Sequence, residues 1–539
     1  MPQRANNTRN IPFSNSYLNS QKCLDGNKLC NYAHAVIPLR DRRVLQKNAL
    51  PPGQQAPWAF VETLDLGIKG LGLPASAAMD PFDSLPIKMP FRSRELYHYF
   101  YQTGAALAVA PADANDDCIA LTTLDEHALR STILIAGIHY SWNTGTLQAY
   151  ESSFLFHKIE SIRIINTWLQ ASDLKAFVVC VRQILTICLA EACLGNIPAA
   201  KTHLNGVMAL FDSREDADGV CDSSDGVESE LADRYLILTS CFVLILKSRL
   251  EDFKFFLATQ GFNSTQDASS TAALKLMKTW HGLEHGGLDT RLKAMRLFPY
   301  FFSPPPTNRR PKVVDAWSII NSLRTITETV DSARINPTPE QLHHVWNDGG
   351  PTRLLLDMVN AHVDSFARDD NDEKASSRSG PRHPSLKPKS PLYSSWSGLC
   401  AAGELYIHSV LGLMDSGKPL ECRLLYRVLL ILKRDVQQTQ GDLRGHSGRT
   451  LQSLWFWKVF LGVLALYRHF SIDVEAVLCG WFVGHARAWS AVTGPTRWND
   501  VHSILGKITW TNFLPLGEED YAGQAWALIA LVGEEYPQW

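Results

Sequence analysis

The chain has 539 residues, 45% of them apolar and 20% charged, which is ordinary for a soluble globular protein. It is long for one core and short for four, so two or three packed units sharing an interface are expected. The net charge of −2 conceals an asymmetry: residues 1–50 hold eight basic and two acidic residues, net +6, leaving −8 for the rest. A basic end on an acidic body suits a polyanion partner and equally suits a plain disordered tail.

Residues 1–57 read as a disordered basic segment. MPQRANNTRNIPFSNSYLNS has no apolar core, so no secretory signal is expected. KCLDGNKLCNY (22–32) sets Cys23 and Cys30 six residues apart, as half of a metal site or as two unrelated thiols. Arg40, Arg42, Arg43 and Lys47 follow. That cluster can contact a nucleic-acid backbone without reading its sequence, act as a nuclear-import signal, or serve as a solvated linker. Residues 44–60 contain Pro51, Pro52, Gly53 and Pro57 and no sustained heptads, so no coiled coil is expected there.

Helical periodicity dominates from about residue 91. Ser93 is placed to cap a helix with Leu96, Tyr99 and Phe100 inward. Helices are predicted near 125–140 and 153–169. Between 174 and 192 the apolar residues from Leu174 to Ala192 make one continuous 3.6-residue face. Gly195 is suited to end that helix in the left-handed conformation, and Pro198 sits in the first turn of the next. The pair predicts a helical hairpin, with one tetratricopeptide-like copy and no repeat at a fixed period. Further helices are predicted near 229–247, 313–329, 351–366, 397–413, 418–435, 448–469, 473–490, 501–508 and 526–531. The fold class is all-α.

Three breaks read as surface loops: acidic SREDADGVCDSSDGVESE (213–230), proline-rich SPPPTNRRPK (303–312), and RDDNDEKASSRSGPRHPSLKPKSP (368–391). The expected organisation is therefore a first helical part over 58–367, a flexible loop over 368–392 and a second helical part over 393–539. The most apolar stretch is taken to be YLILTSCFVLIL (235–246), too short for a bilayer-spanning helix. Eleven cysteines, among them Cys180, Cys188, Cys193, Cys241 and Cys479, stand mostly among apolar residues and read as reduced thiols in an intracellular chain.

Catalytic signatures are missing: no phosphate-cradling GxxxxGK[ST], no GxGxxG, no GxSxG. His281 and His285 in WHGLEH share a helix face, but Gly282 stands where a metalloprotease helix has glutamate. His343 and His344 are adjacent and would point about 100° apart on a helix. Trp455 and Trp457 lie in LWFWKVFLGVLALY, apolar all round and read as a buried helix. No enzymatic activity and no catalytic or cofactor-binding residue is expected.

Cys23 and Cys30, with Gly26 and the CNY ending, resemble the last two cysteines of the C-x2-C-x6-C half of the fungal binuclear zinc cluster. Ser20 occupies the place of the preceding cysteine, and no cysteine lies upstream. Two thiolates cannot enclose two zinc ions, so Cys23 and Cys30 are zinc ligands only if an upstream half-cluster is encoded. Otherwise the head has been lost. The remainder is similar to the helical regulatory region of fungal zinc-cluster transcription factors. PLRDRR (38–43), LPPGQQAPW (50–58), DPFDSLPIKMPFRSRELYHYF (80–100), LGNIPAAKTHLNGVMALFD (194–212) and the W-x2-V-x3-L-x4-W unit from Trp498 to Trp510 carry the likeness. The resemblance implies a nuclear transcription regulator whose helical body is tuned by other regulators, coactivators or a small-molecule effector, with no membrane association. The departure at Ser20 and upstream of it puts autonomous DNA binding by this chain in doubt, so specific DNA binding by the chain as written is not expected. An intracellular helical scaffold or ligand-binding protein without a DNA role is the alternative.

Overall fold

The computed structural model describes residues 85–106, 125–171, 177–217, 226–259, 287–305, 310–335, 349–366, 392–414, 420–440, 449–469, 476–513 and 520–530. Every described residue belongs to one compact unit within Ala75–Trp539.

The described residues form fifteen α-helices and one two-stranded ribbon. In order the first helices are α1 (Ser93–Ala106), α2 (Glu126–Thr144), α3 (Glu151–Ala171), α4 (Phe177–Cys193), α5 (Ile197–Ala217), α6 (Gly226–Thr259) and α7 (Gly287–Phe301). Strand β1 (Val314–Asp315) precedes α8 (Trp317–Ile335) and α9 (Gly350–Asp364). Strand β2 (Tyr393–Ser394) leads into α10 (Trp396–Leu405), α11 (Cys422–Thr439), α12 (Arg449–His469), α13 (Ala476–Thr493), α14 (Trp498–Gly506) and α15 (Tyr521–Ala530). The ribbon is antiparallel, with Val314 opposite Ser394. The all-α reading is correct.

The α4–α5 hairpin turns as its sequence requires. Gly195 takes φ 84°, Asn196 N donates to Glu191 O and Gly195 N to Ala192 O, which satisfies the last carbonyls of α4. The structure extends the one-faced reading of α4. From Cys180 to Cys193 it is buried around its whole circumference, packed against α2, α3, α5 and α6. Most of its polar groups find partners. Arg182 pairs with Asp125 at 3.1 Å, Gln183 Nε2 donates to His127 O and Ser131 Oγ, and Glu191 meets Lys158 and Asn196.

In the C-terminal half, α10 is buried along all ten residues and α12 from Ser453 to Leu466, with Trp457 fully enclosed. Tryptophan N–H groups tie elements together in both halves. Trp142 donates to Cys193 O, Trp396 to Met358 O, Trp455 to Val436 O and Trp457 to Thr509 O, so each indole buries its body without stranding its donor. Among the described residues α12, not 235–246, is the helix long and apolar enough to cross a membrane. Some 78% of its most apolar window is buried, as in a core helix. The latter stretch lies inside the 34-residue α6.

Several local expectations change. The acidic stretch 213–230 is not all loop: 213–217 finish α5 and 226–230 begin α6, with 218–225 outside the described residues. Acidic side chains favour a helix start, and Glu230 reaches Arg234 one turn on at 2.5 Å. Ser93 does not cap α1. It is the first helical residue, and its hydroxyl contacts Pro90 O and His157 Nε2. Helix α7 has no clear sequence signal because Pro299 and the preceding Gly286-Gly287 break its pattern, yet Leu292, Met295 and Phe298 are core. The described parts of 303–312 are non-helical, as expected, and 367–391 lies outside the described residues.

Candidate functional site

The sequence-predicted site residues Cys23, Cys30, Arg40, Arg42, Arg43 and Lys47 lie outside the described residues, as do His281, His285, His343 and His344. Among the described residues no group of three or more His, Cys, Asp and Glu side chains could hold a metal ion. Cys180, Cys188, Cys193 and Cys241 are buried free thiols, and Cys479 is half-buried. Burial pushes the Cys188 thiol up to about 12, so it is a packing group rather than a nucleophile.

The chemistry-bearing concavity lies elsewhere, in the C-terminal half. It begins with a defect in helix winding. After Leu405 the chain makes a π-helical turn over Tyr406–Val410, in which Leu411 N donates to Tyr406 O, and Gly412 at φ 66° ends it. Such an inserted residue re-aims the side chains around it, here Ser409 and Val410.

The opposite wall is the segment after α14. Residues 507–513 are held by one edge of α8, where Arg324, Thr327, Asp331 and Arg334 recur at helical spacing. Arg324 Nε donates to Ile508 O at 2.5 Å, and Thr327 bonds both Tyr406 Oη and Thr509 Oγ1. Asp331 accepts from Asn512 N at 2.9 Å and from the Thr511 hydroxyl. Arg334 donates to Phe513 O at 3.0 Å and to Leu411 O at 2.9 Å, joining this wall to the end of the π turn.

Between the walls is a cavity of about 160 Å³ lined by Ser409, Leu464, Arg468, Trp498, His502, Trp510, Phe513, Asp520 and Tyr521 among others. It is smaller than the roughly 300–1,000 Å³ of drug-sized sites. Trp498, Trp510 and Tyr521 supply flat apolar surface. The Arg468 guanidinium lies 5.4 Å from the Tyr521 ring and donates to Ser409 O at 2.5 Å. His502 Nε2 faces the Thr511 carbonyl at 3.1 Å; a carbonyl only accepts, so Nε2 is the donor. Asp520 accepts from Gly523 N at 2.8 Å at the start of α15.

Comparison with known protein families, curated proteins and solved structures finds no match.

Within the cavity wall Ser409 Oγ lies 3.2 Å from His469 Nε2, a pairing that in other settings activates serine. Here it lacks its supports. Among the described residues His469 Nδ1 has no hydrogen-bond partner. Burial, with His408 and Arg468 beside it, pushes the imidazole down to about 3, too weakly basic to take a hydroxyl proton. Sequence reasoning singles out Trp498 and Trp510 but misses Ser409, Arg468, His502 and Asp520, which no local signal distinguishes from surface residues.

Proposed function

We propose that this chain is a transcriptional regulator of the fungal zinc-cluster type, acting in the nucleus through its helical body and unable to bind DNA specifically by itself. Its body would receive a small effector in the aromatic cavity and pass the signal to other regulators or coactivators. The observation carrying this reading is that Trp498 and Trp510, the ends of the unit by which the C-terminal region resembles that family, both line the cavity. The likeness and the concavity thus fall on the same residues. The reading includes no catalytic step, and zinc enters only if an upstream half-cluster joins Cys23 and Cys30. Arg40, Arg42, Arg43 and Lys47 would then serve backbone contact or nuclear import.

The test is to tether the full chain to a heterologous DNA-binding domain upstream of a reporter. Altered reporter output, changed by Trp510→Ala in a protein that still folds, is the expected result. Output indistinguishable from the tether alone, with the native protein confined to the cytoplasm, overturns it. That result would favour the second reading, a helical ligand-binding protein or scaffold without a DNA role, to which the cavity is equally suited.

A further inference from the structure

Two opposite charges line the aromatic cavity without meeting. Arg468, in the last turn of α12, lies over the Tyr521 ring, its guanidinium 5.4 Å from the centroid. Asp520 directly precedes Tyr521 in the chain and lines the same cavity. Yet Asp520 forms no ion pair among the described residues. Its Oδ1 accepts from Gly523 N at 2.8 Å, and its Oδ2 has no partner there. A cation and an anion thus stand in one wall with a gap between them.

The aromatic part of the wall holds an unused donor. Trp498 and Trp510 stand at 75° to one another with ring centroids 6.4 Å apart. Trp510 is only 7% exposed, but its indole N–H has no hydrogen-bond partner among the described residues and, unlike that of Trp489, is not sealed from solvent. The buried indoles of Trp142, Trp396 and Trp457 all donate to backbone carbonyls. A nearly buried ring with a spare N–H at a cavity wall suits a ligand acceptor.

We infer that the effector is a small zwitterion of the α-amino acid type, its carboxylate turned to Arg468 and its ammonium to Asp520. The Trp510 N–H is then a further donor to the carboxylate. Charge decides the class. A lone anion would face the unpaired Asp520 carboxylate, a lone cation would face Arg468, and an uncharged molecule would engage neither. A molecule with adjacent opposite charges compensates both, through charge-assisted hydrogen bonds. The aromatic faces also tolerate an ammonium beside them. The inference rests on the reading of this cavity as an effector site and adds the effector's chemistry.

Isothermal titration of the full-length protein with each of the twenty L-amino acids, at up to about 10 mM, tests it. At least one should bind saturably. The matched amine and the matched acid, each lacking one of its charges, should bind about tenfold or more weakly. Arg468→Met should erase the preference over the amine and keep that over the acid. Asp520→Asn, which retains an acceptor for Gly523 N, should do the reverse, with wild-type circular dichroism in both variants. The matched-ligand comparison uses the wild type, so it decides even where a variant fails to fold. Saturable binding by none of the twenty overturns the inference. So does an acid or amine that binds as tightly as the amino acid, or a preference unmoved by Asp520→Asn. Reporter output altered by Trp510→Ala with no amino acid bound would sink this inference alone, whereas amino-acid binding with a silent reporter would sink only the regulatory reading.

Discussion

Lys458 Nζ lies 2.6 Å from Asp435 Oδ2 with both side chains buried, so α12 and α11 are joined by an ion pair inside the core. The pair is not isolated. Lys458 also donates to Ser394 Oγ at 2.7 Å, and Asp435 Oδ1 accepts from Ser395 Oγ at 2.5 Å. Ser395 caps α10 by accepting from Gly398 N at 3.0 Å. A Cβ on Gly398 would collide with the Asp435 carboxylate, so only glycine admits that group here. One buried pair therefore fixes the entry of α10 against two helices.

Removing one partner should be far worse than removing both. Lys458→Met leaves Asp435 without its cation and should cost about 3–5 kcal/mol in urea unfolding. Lys458→Met combined with Asp435→Leu should recover part of that loss, because no uncompensated charge remains. Equal losses in the single and double variants would show that the pair acts through packing alone.

Glu404 is buried in α10, where Ser240 Oγ bonds its carboxyl, and burial raises that carboxyl from 4.5 to about 8. The folded state then holds a proton that the unfolded state releases above pH 4.5. Its contribution to stability falls as pH rises from 4.5 to 8, by roughly 1.4 kcal/mol per pH unit, and is constant above. Glu404→Gln should flatten the decline in melting temperature between pH 6.5 and 8. A wild-type curve already flat over that range would mean the carboxyl is ionised in the fold.

What the sequence could show follows from what is local. The α4–α5 hairpin was legible because a periodic face and Gly195 are adjacent in the chain. The buried Arg182, Gln183 and Glu191 were not, since each bonds a residue outside its own helix. The α8 edge shows the same limit more sharply. Arg324, Thr327, Asp331 and Arg334 look like the solvated face of an amphipathic helix, but they hold a segment that lies some 180 residues further on. The π turn at Tyr406–Val410 is one residue out of register, too small a change to alter hydrophobic periodicity. So Trp498 and Trp510 stood out only as the ends of a motif, and the cavity they line, like its polar residues, depended on contacts made only in the folded chain.

Two buried histidines contribute to the acid limb of stability. His139 and His157 are both pushed down to about 3, chiefly by burial and then by Arg296 and Arg130 respectively. As pH falls below 6.5 the unfolded chain takes up protons that the folded one does not, so stability drops from pH 6.5 towards 3 and is complete above 6.5. His157→Gln, which can keep the bond to Ser93, should reduce the loss between pH 6.5 and 5 in thermal melts. An unchanged slope would show that His157 titrates alike in the folded and unfolded chains.

Arg334 should matter locally more than globally. Its guanidinium holds Phe513 O and Leu411 O, so its replacement removes a side-chain bridge between the two cavity walls. Arg334→Met keeps the aliphatic stem but strands those carbonyls, at a cost of about 1–3 kcal/mol. Amide exchange of residues 507–513 and 411–413 should quicken, while α4, remote in the fold, keeps its protection. Uniform acceleration across both regions would instead make Arg334 a determinant of global stability, and the cavity wall no softer than the core.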